Sequence, residues 1–197
     1  MKQNSQYIAS LLALFTLLFP ILAQAHIGVG VPHGFLSGLG HPFSGFDHLA
    51  AMIAVGLWAA QQGGRAIWMV PLSFVSVMAV SGLLSMFAAP IPFIEGGITL
   101  SLLVLGLLIA AAIRLPVLAS TAIVGVFAVF HGYAHGSEMP QHTDSLTYAA
   151  GFILATALLH LSGIGMAVFA RKHSHAPWLR FAGTAVILLG GISWFGY

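Results

Sequence analysis

Charge is nearly missing from this chain. Of its 197 residues only 5% are charged, six Lys or Arg against four Asp or Glu, where a soluble domain carries roughly 25%. With 59% hydrophobic residues and a mean hydropathy of +0.99, there is too little polar surface to cover a water-soluble fold. The net charge of +2 is too small an excess for a nucleic-acid partner. Cysteine is absent altogether, which excludes disulfides, thiolate metal sites and cysteine nucleophiles. Any bound metal must therefore be held by imidazole, carboxylate, backbone or water, a donor set suited to nickel, cobalt or zinc rather than soft copper(I). The chain also lacks a G-x-x-x-x-G-K phosphate loop, an H-E-x-x-H zinc motif and a G-x-S-G serine motif. Nor does it assemble the many clustered histidines of a di-iron desaturase-like site. These absences argue against an ATPase and against an enzyme in general.

What is present is long apolar sequence. Residues 1–25 read as a cleavable signal peptide: Lys2 at the start, an apolar run from Ile8 to Leu22 broken by Pro20, then Ala23-Gln24-Ala25 as a small-x-small cleavage site. Cleavage there leaves His26 as the mature N-terminus. A crossing of the hydrocarbon core takes about 20 apolar residues, and six stretches follow at roughly 43–62, 66–89, 94–113, 116–136, 146–170 and 177–196. Their connections are short, so neighbours in sequence should pack antiparallel, and no linker separates domains. The expected fold is all-α: a polytopic bundle of six transmembrane helices over residues 26–197. Pro71 falls inside the second stretch and should kink it. The abundant glycines, among them Gly96-Gly97, Gly163, Gly165 and Gly190-Gly191, read as close-packing positions.

The few charges orient the bundle. A cleaved signal places the mature N-terminus outside the cytoplasmic membrane. Arg65, Arg114, Arg171, Lys172 and Arg180 then all fall at inner ends, and Glu95, Glu138 and Asp144 at outer ends. Every loop obeys the positive-inside rule. Trp194, Phe195 and Tyr197 form an aromatic anchor at the outer interface.

Two histidine clusters interrupt this apolar pattern. The first is H-P-F-S-G-F-D-H, His41 to His48, and the second H-G-Y-A-H-G-S-E, His131 to Glu138. They contain two of the four acidic residues in the chain, Asp47 and Glu138. Pro42 suits the first turn of a helix. On one continuous helix His41 and His48, seven apart, share a face, while Asp47 points about 100° away from His48. Asp47 is then either a ligand or a partner that fixes a histidine tautomer. His131, His135 and Glu138 line one face at i, i+4 and i+7, and an i, i+4 histidine pair is a chelating geometry. Helical rise places His48 and His131 at one depth. Ionisable groups within a span cost about 2.5–3.5 kcal/mol each at the centre on insertion scales, so their conjunction reads as a divalent-metal site.

Other histidines are secondary candidates. His26 offers a terminal amine and a ring, while His33 and His142 lie at the outer surface. His160, deep in the fifth span, is either a further station on an ion path or a packing partner of Ser162. His173 and His175 flank basic residues of an inner loop, and Glu95 sits at a helix start where the dipole favours an acid.

The residues His41, Pro42, Gly45, Asp47 and His48, then His131, Ala134, His135, Gly136 and Glu138, resemble the two motifs of the HupE/UreJ family of hydrogenase and urease accessory proteins. The signal peptide and six spans extend the resemblance to essentially the whole chain. It implies a permease for Ni²⁺ or Co²⁺ with Asp47, His48, His131, His135 and Glu138 as ligands or pathway residues. The ion is then substrate, not cofactor, and the other partners are the bilayer and cytoplasmic nickel-binding proteins. Protonation of the histidines should suppress uptake at acid pH. The alternative is a membrane-embedded metal or haem protein with a redox or enzymatic role, for which the adjacent Asp-His pair is a poor axial-ligand arrangement. A visible absorption spectrum separates the two.

Overall fold

A computed structural model describes residues 34–87, 89, 91–139, 143–172 and 176–196. These belong to one compact unit, His33–Tyr197. The expected signal peptide and His26, His33, His142, His173 and His175 lie outside the described residues.

Among those residues the structure is all-α: α1 (Phe35–Gly40), a single 3-10 turn (His41–Phe43), α2 (Phe46–Gln62), α3 (Ala66–Ser85), α4 (Ile94–Ala110), α5 (Val117–Ser137), α6 (Ser145–Lys172) and α7 (Ala176–Gly196). Helices α2 to α7 occupy the six apolar stretches. Four of them, α3, α5, α6 and α7, are long and apolar enough to cross a bilayer by themselves. The first stretch differs from expectation. Instead of one helix from His41, the segment Phe35–Phe43 meets Phe46–Gln62 at 86°, and only as a bent pair do they reach spanning length. Helix α4, with 17 residues, is apolar but short of the roughly 20 that a straight crossing needs. Pro71 is accommodated inside the continuous helix α3.

The bend has a local cause. Pro42 sits in the first turn of the 3-10 segment and the Ser44 hydroxyl donates to the His41 carbonyl (2.6 Å). Gly45 is extended, at φ −119° and ψ 126°, so the α2 ladder begins afresh at Phe46. At the other end of α2, Gly63 and Gly64 take φ of 78° and 53°. This left-handed backbone is strained for any residue with a Cβ, and it reverses the chain directly into α3.

Lipid tails are as apolar as leucine, so helices in a membrane associate through close packing rather than the hydrophobic effect. The glycines supply it. Gly132 and Gly136 of α5 lie on the backbones of Met78 and Gly82 in α3. Gly56 of α2 meets the His160 carbonyl of α6, and Gly163 of α6 meets Ile53 of α2. Gly106 and Gly183 do the same for α4 and α7. The outward faces remain apolar, with Trp68, Leu72, Leu83, Leu118, Phe181, Leu188 and Ile192 exposed. Large apolar side chains over a whole bundle surface belong in lipid, and the chain is a multi-pass membrane protein.

The charges separate to opposite ends of this bundle. Arg171 donates to the Ala60 carbonyl (3.0 Å) and Arg180 to the Ala110 carbonyl (3.0 Å). Both satisfy carbonyls at the helix C-termini, where the dipole favours cations. Asp47 and Glu95 lie in the first turns of α2 and α4 at the other end, where the dipole favours acids. Glu138 closes α5 there, and Asp144 accepts from the Leu146 N–H (3.0 Å) at the start of α6.

Candidate metal centre

The acidic end holds the histidines. α2 and α5 run antiparallel across the bundle, the Gln62 amide at the end of α2 donating to the Ser120 hydroxyl near the start of α5 (2.6 Å), so the start of α2 faces the finish of α5. This brings His48 to His131 and His135, with ring centroids 5.2 and 4.4 Å away. Each of the three offers a nitrogen within 4.8 Å of the other two. His131 and His135 are buried, and the His48 side chain is 12% exposed. Two nitrogens bound to one ion at about 2.1 Å lie at most about 4.2 Å apart. Closing the triad on an ion therefore takes small side-chain movements only.

Hydrogen bonds decide which lone pairs face inward. Asp47 does not point away from His48 as a regular helical projection suggests. Its Oδ1 turns back to accept from the His48 backbone N–H (2.8 Å) and from His48 Nδ1 (2.8 Å). The carboxylate satisfies an orphan N–H of the helix start and, by accepting a hydrogen bond from Nδ1–H, keeps the proton there and leaves the lone pair on Nε2. That atom has no hydrogen-bond partner among the described residues. Gly45 makes room for this: a Cβ there would come within 2.7 Å of Asp47 Oδ1 and 3.1 Å of His48 Nδ1. For His131 the same logic runs through α4. The Ser101 hydroxyl spends its proton on the Ile98 carbonyl (2.6 Å), so at 3.1 Å from His131 Nε2 it accepts. That leaves His131 Nδ1 as the lone pair, also without a partner among the described residues. A carboxylate and a hydroxyl thus set two tautomers, the arrangement that orients metal-binding imidazoles.

A second triad overlaps the first. His41, His135 and Glu138 also place one ligand atom each within 4.8 Å of one another. His41 Nε2 donates to Glu138 Oε2 (3.2 Å), and His135 Nδ1 lies 3.9 Å from the same oxygen. The His41 hydrogen bond holds the Glu138 carboxyl below its usual range, and the group is half exposed. His41 therefore does not share a helix face with His48; the 86° bend carries it across to α5. Phe152 of α6 walls the junction, its ring 4.3 Å from His135 and 6.3 Å from His41. His135 is common to both triads, so the two cannot be filled independently.

Of the sequence-predicted residues, His41, His48, His131, His135 and Glu138 thus converge. Asp47 belongs to neither triad and acts on His48 instead. His160 lies apart on α6, buried, and does not pair with Ser162, whose hydroxyl donates to the Leu158 carbonyl (2.8 Å). Sequence reading missed Ser101 and Phe152. Both stand in apolar runs, and a serine one helical turn from a carbonyl it can bond carries no motif of its own.

The family model described as HupE / UreJ protein matches residues 13–193. Protein HupE of Rhizobium leguminosarum bv. viciae is 44% identical over 177 residues, covering 90% of this chain and 92% of the relative. No solved structure matches the chain. With the match running through both histidine clusters and nearly end to end, the chain belongs to the HupE/UreJ family.

Proposed function

We propose that the protein is a permease, not an enzyme, that takes up Ni²⁺ or Co²⁺ as substrate across the bacterial cytoplasmic membrane. In this reading the leader is cleaved, the mature N-terminus is outside, and the chain crosses six times, with the bent α1–α2 pair and the short α4 counted as crossings. The acidic end faces outward. The observation that carries the proposal is the convergence of His48, His131 and His135 with two lone pairs freed by Asp47 and Ser101.

The order of events follows from the overlap. A hydrated dication meets the half-exposed Glu138 carboxylate and His41 first. It displaces the proton between them and gains His135. Turning about His135, it exchanges His41 and Glu138 for His48 and His131, the more buried pair. Imidazole and carboxylate replace part of the water shell with mixed N/O donors, which nickel accepts. The membrane potential, inside negative, favours inward movement of a dication by about 2.3 kcal/mol per charge per 100 mV. Cytoplasmic nickel binders would trap the ion after release.

Proteoliposomes containing the purified chain are expected to accumulate radiolabelled nickel, with cobalt competing better than manganese. Accumulation no faster than in empty liposomes would reject the proposal. A second expectation concerns Gly45. Gly45→Ala pushes the Asp47 carboxylate off His48, and loss of such an orienting group typically costs 10–100-fold in metal affinity. Titration of nickel into the purified variant measures this, and wild-type affinity would show that Asp47 does not set the His48 tautomer.

A further inference from the structure

Below the triads, toward the arginine end, the bundle interior turns apolar. Met52, Val55, Phe74, Met78 and Leu159 are buried there. Phe74 of α3 occupies the middle of this layer. Its ring lies 5.5 Å from that of His131 and 5.2 Å from that of His160, edge to face with His160 at 85°. His160 is 1% exposed, and neither of its ring nitrogens has a hydrogen-bond partner among the described residues. A buried polar group left unpaired is destabilising, and a leucine of similar size would avoid that cost. Helix packing places His160 level with Gly56 of α2, eight residues beyond His48, or about 12 Å further along the bundle axis. Thr156 stands one turn away on the same face of α6, its hydroxyl directed to Met78 Sδ (3.9 Å). Beyond His160, Gln61 near the end of α2 keeps a buried amide oxygen without a partner among the described residues.

We propose that His160 is a second coordination station for the transported dication, and that Phe74 is the apolar partition closing it off from the His48–His131–His135 triad. The inference rests on the permease reading above. An ion leaving three imidazoles for His160 meets the Phe74 ring, which contacts both His131 and His160, so passage requires that ring to swing aside. A site that cannot leak in one conformation yet offers a ligand on the far side is what stepwise release demands. Phe74 is in ring contact with both imidazoles, tilted against His131 and edge to face with His160.

The experiment uses the full chain, purified and reconstituted, with nickel and cobalt as probes. His160→Leu is expected to retain wild-type nickel affinity in detergent, because the triad is intact, while uptake into proteoliposomes falls roughly tenfold or more. His160→Cys introduces the sole thiol of a chain without cysteine. Titrated with Co²⁺, it is expected to show a thiolate-to-cobalt charge-transfer absorption that neither wild type nor His160→Leu gives. Adding Phe74→Ala to His160→Cys should make that absorption appear faster. Wild-type uptake by His160→Leu, or cobalt binding by His160→Cys without the absorption, would overturn the proposal. If His160→Leu loses binding along with uptake, its fold has failed and the absorption of His160→Cys decides. If the wild-type chain binds nickel but does not accumulate it, the permease reading fails, and the absorption still reports whether an ion reaches position 160.

Discussion

His135→Ala is expected to abolish nickel accumulation and to lower binding by more than the roughly 100-fold that marks the loss of an orienting group. His135 is the one side chain that belongs to both triads, so its removal takes a ligand from the entry site and from the buried site together. His48→Ala and His131→Ala each take one of three imidazoles from the buried site and are expected to abolish most uptake as well. His41→Ala and Glu138→Gln, which touch only the entry triad, are expected to slow uptake while leaving binding at the buried triad measurable. The ranking is the test: uptake rates and equilibrium nickel binding are measured on the same five variants, with membrane insertion checked on each. Equal effects at His41 and His135 would mean that the two triads act as one site. Undiminished uptake in His48→Ala and His131→Ala would mean that the ion does not pass there.

Gly132→Leu is expected to have the largest effect on the fold. A Cβ at that position would overlap the backbone carbonyl of Met78 in α3, and a backbone atom cannot rotate away as a side-chain tip can. Overpacking usually costs about 1–3 kcal/mol where side chains can adjust; here two helix axes must part. The α3–α5 contact is the most extensive in the bundle, and α5 carries His131 and His135. The variant should therefore lose folded protein in thermal aggregation assays in detergent, and nickel binding with it. Gly165→Ala, at a position where a Cβ meets nothing within 4 Å, is the matched control and should behave as wild type. Equal thermal stability of the two variants would show that close approach at Gly132 is not what holds α3 to α5.

Much of this was written in local sequence. Apolar runs mark each helix from α2 to α7, because hydrocarbon tolerates only backbone satisfied within its own segment, although α2 and α4 fall short of spanning length by themselves. The i, i+4 pair His131 and His135 needs nothing beyond helical periodicity to share a face. The scarcity of acids made Asp47 and Glu138 conspicuous. Other features left no such mark. The break at Ser44-Gly45 reads as the inside of a helix, which puts His41 on the face of His48 rather than beside His135 and Glu138. Ser101 and Phe74 are ordinary residues of apolar stretches; each matters only for what another helix sets against it.

Sequence alone therefore determined the class of the molecule, an apolar helical bundle with imidazoles and carboxylates concentrated near one end, since hydropathy and helical spacing are properties of neighbouring residues. The tertiary structure decided how those groups divide: two triads sharing His135, tautomers set by Asp47 and Ser101, and a phenylalanine in ring contact with both His131 and His160. Those relations depend on the rotation and depth of helices that touch through glycines far apart in the chain, and no local pattern encodes them.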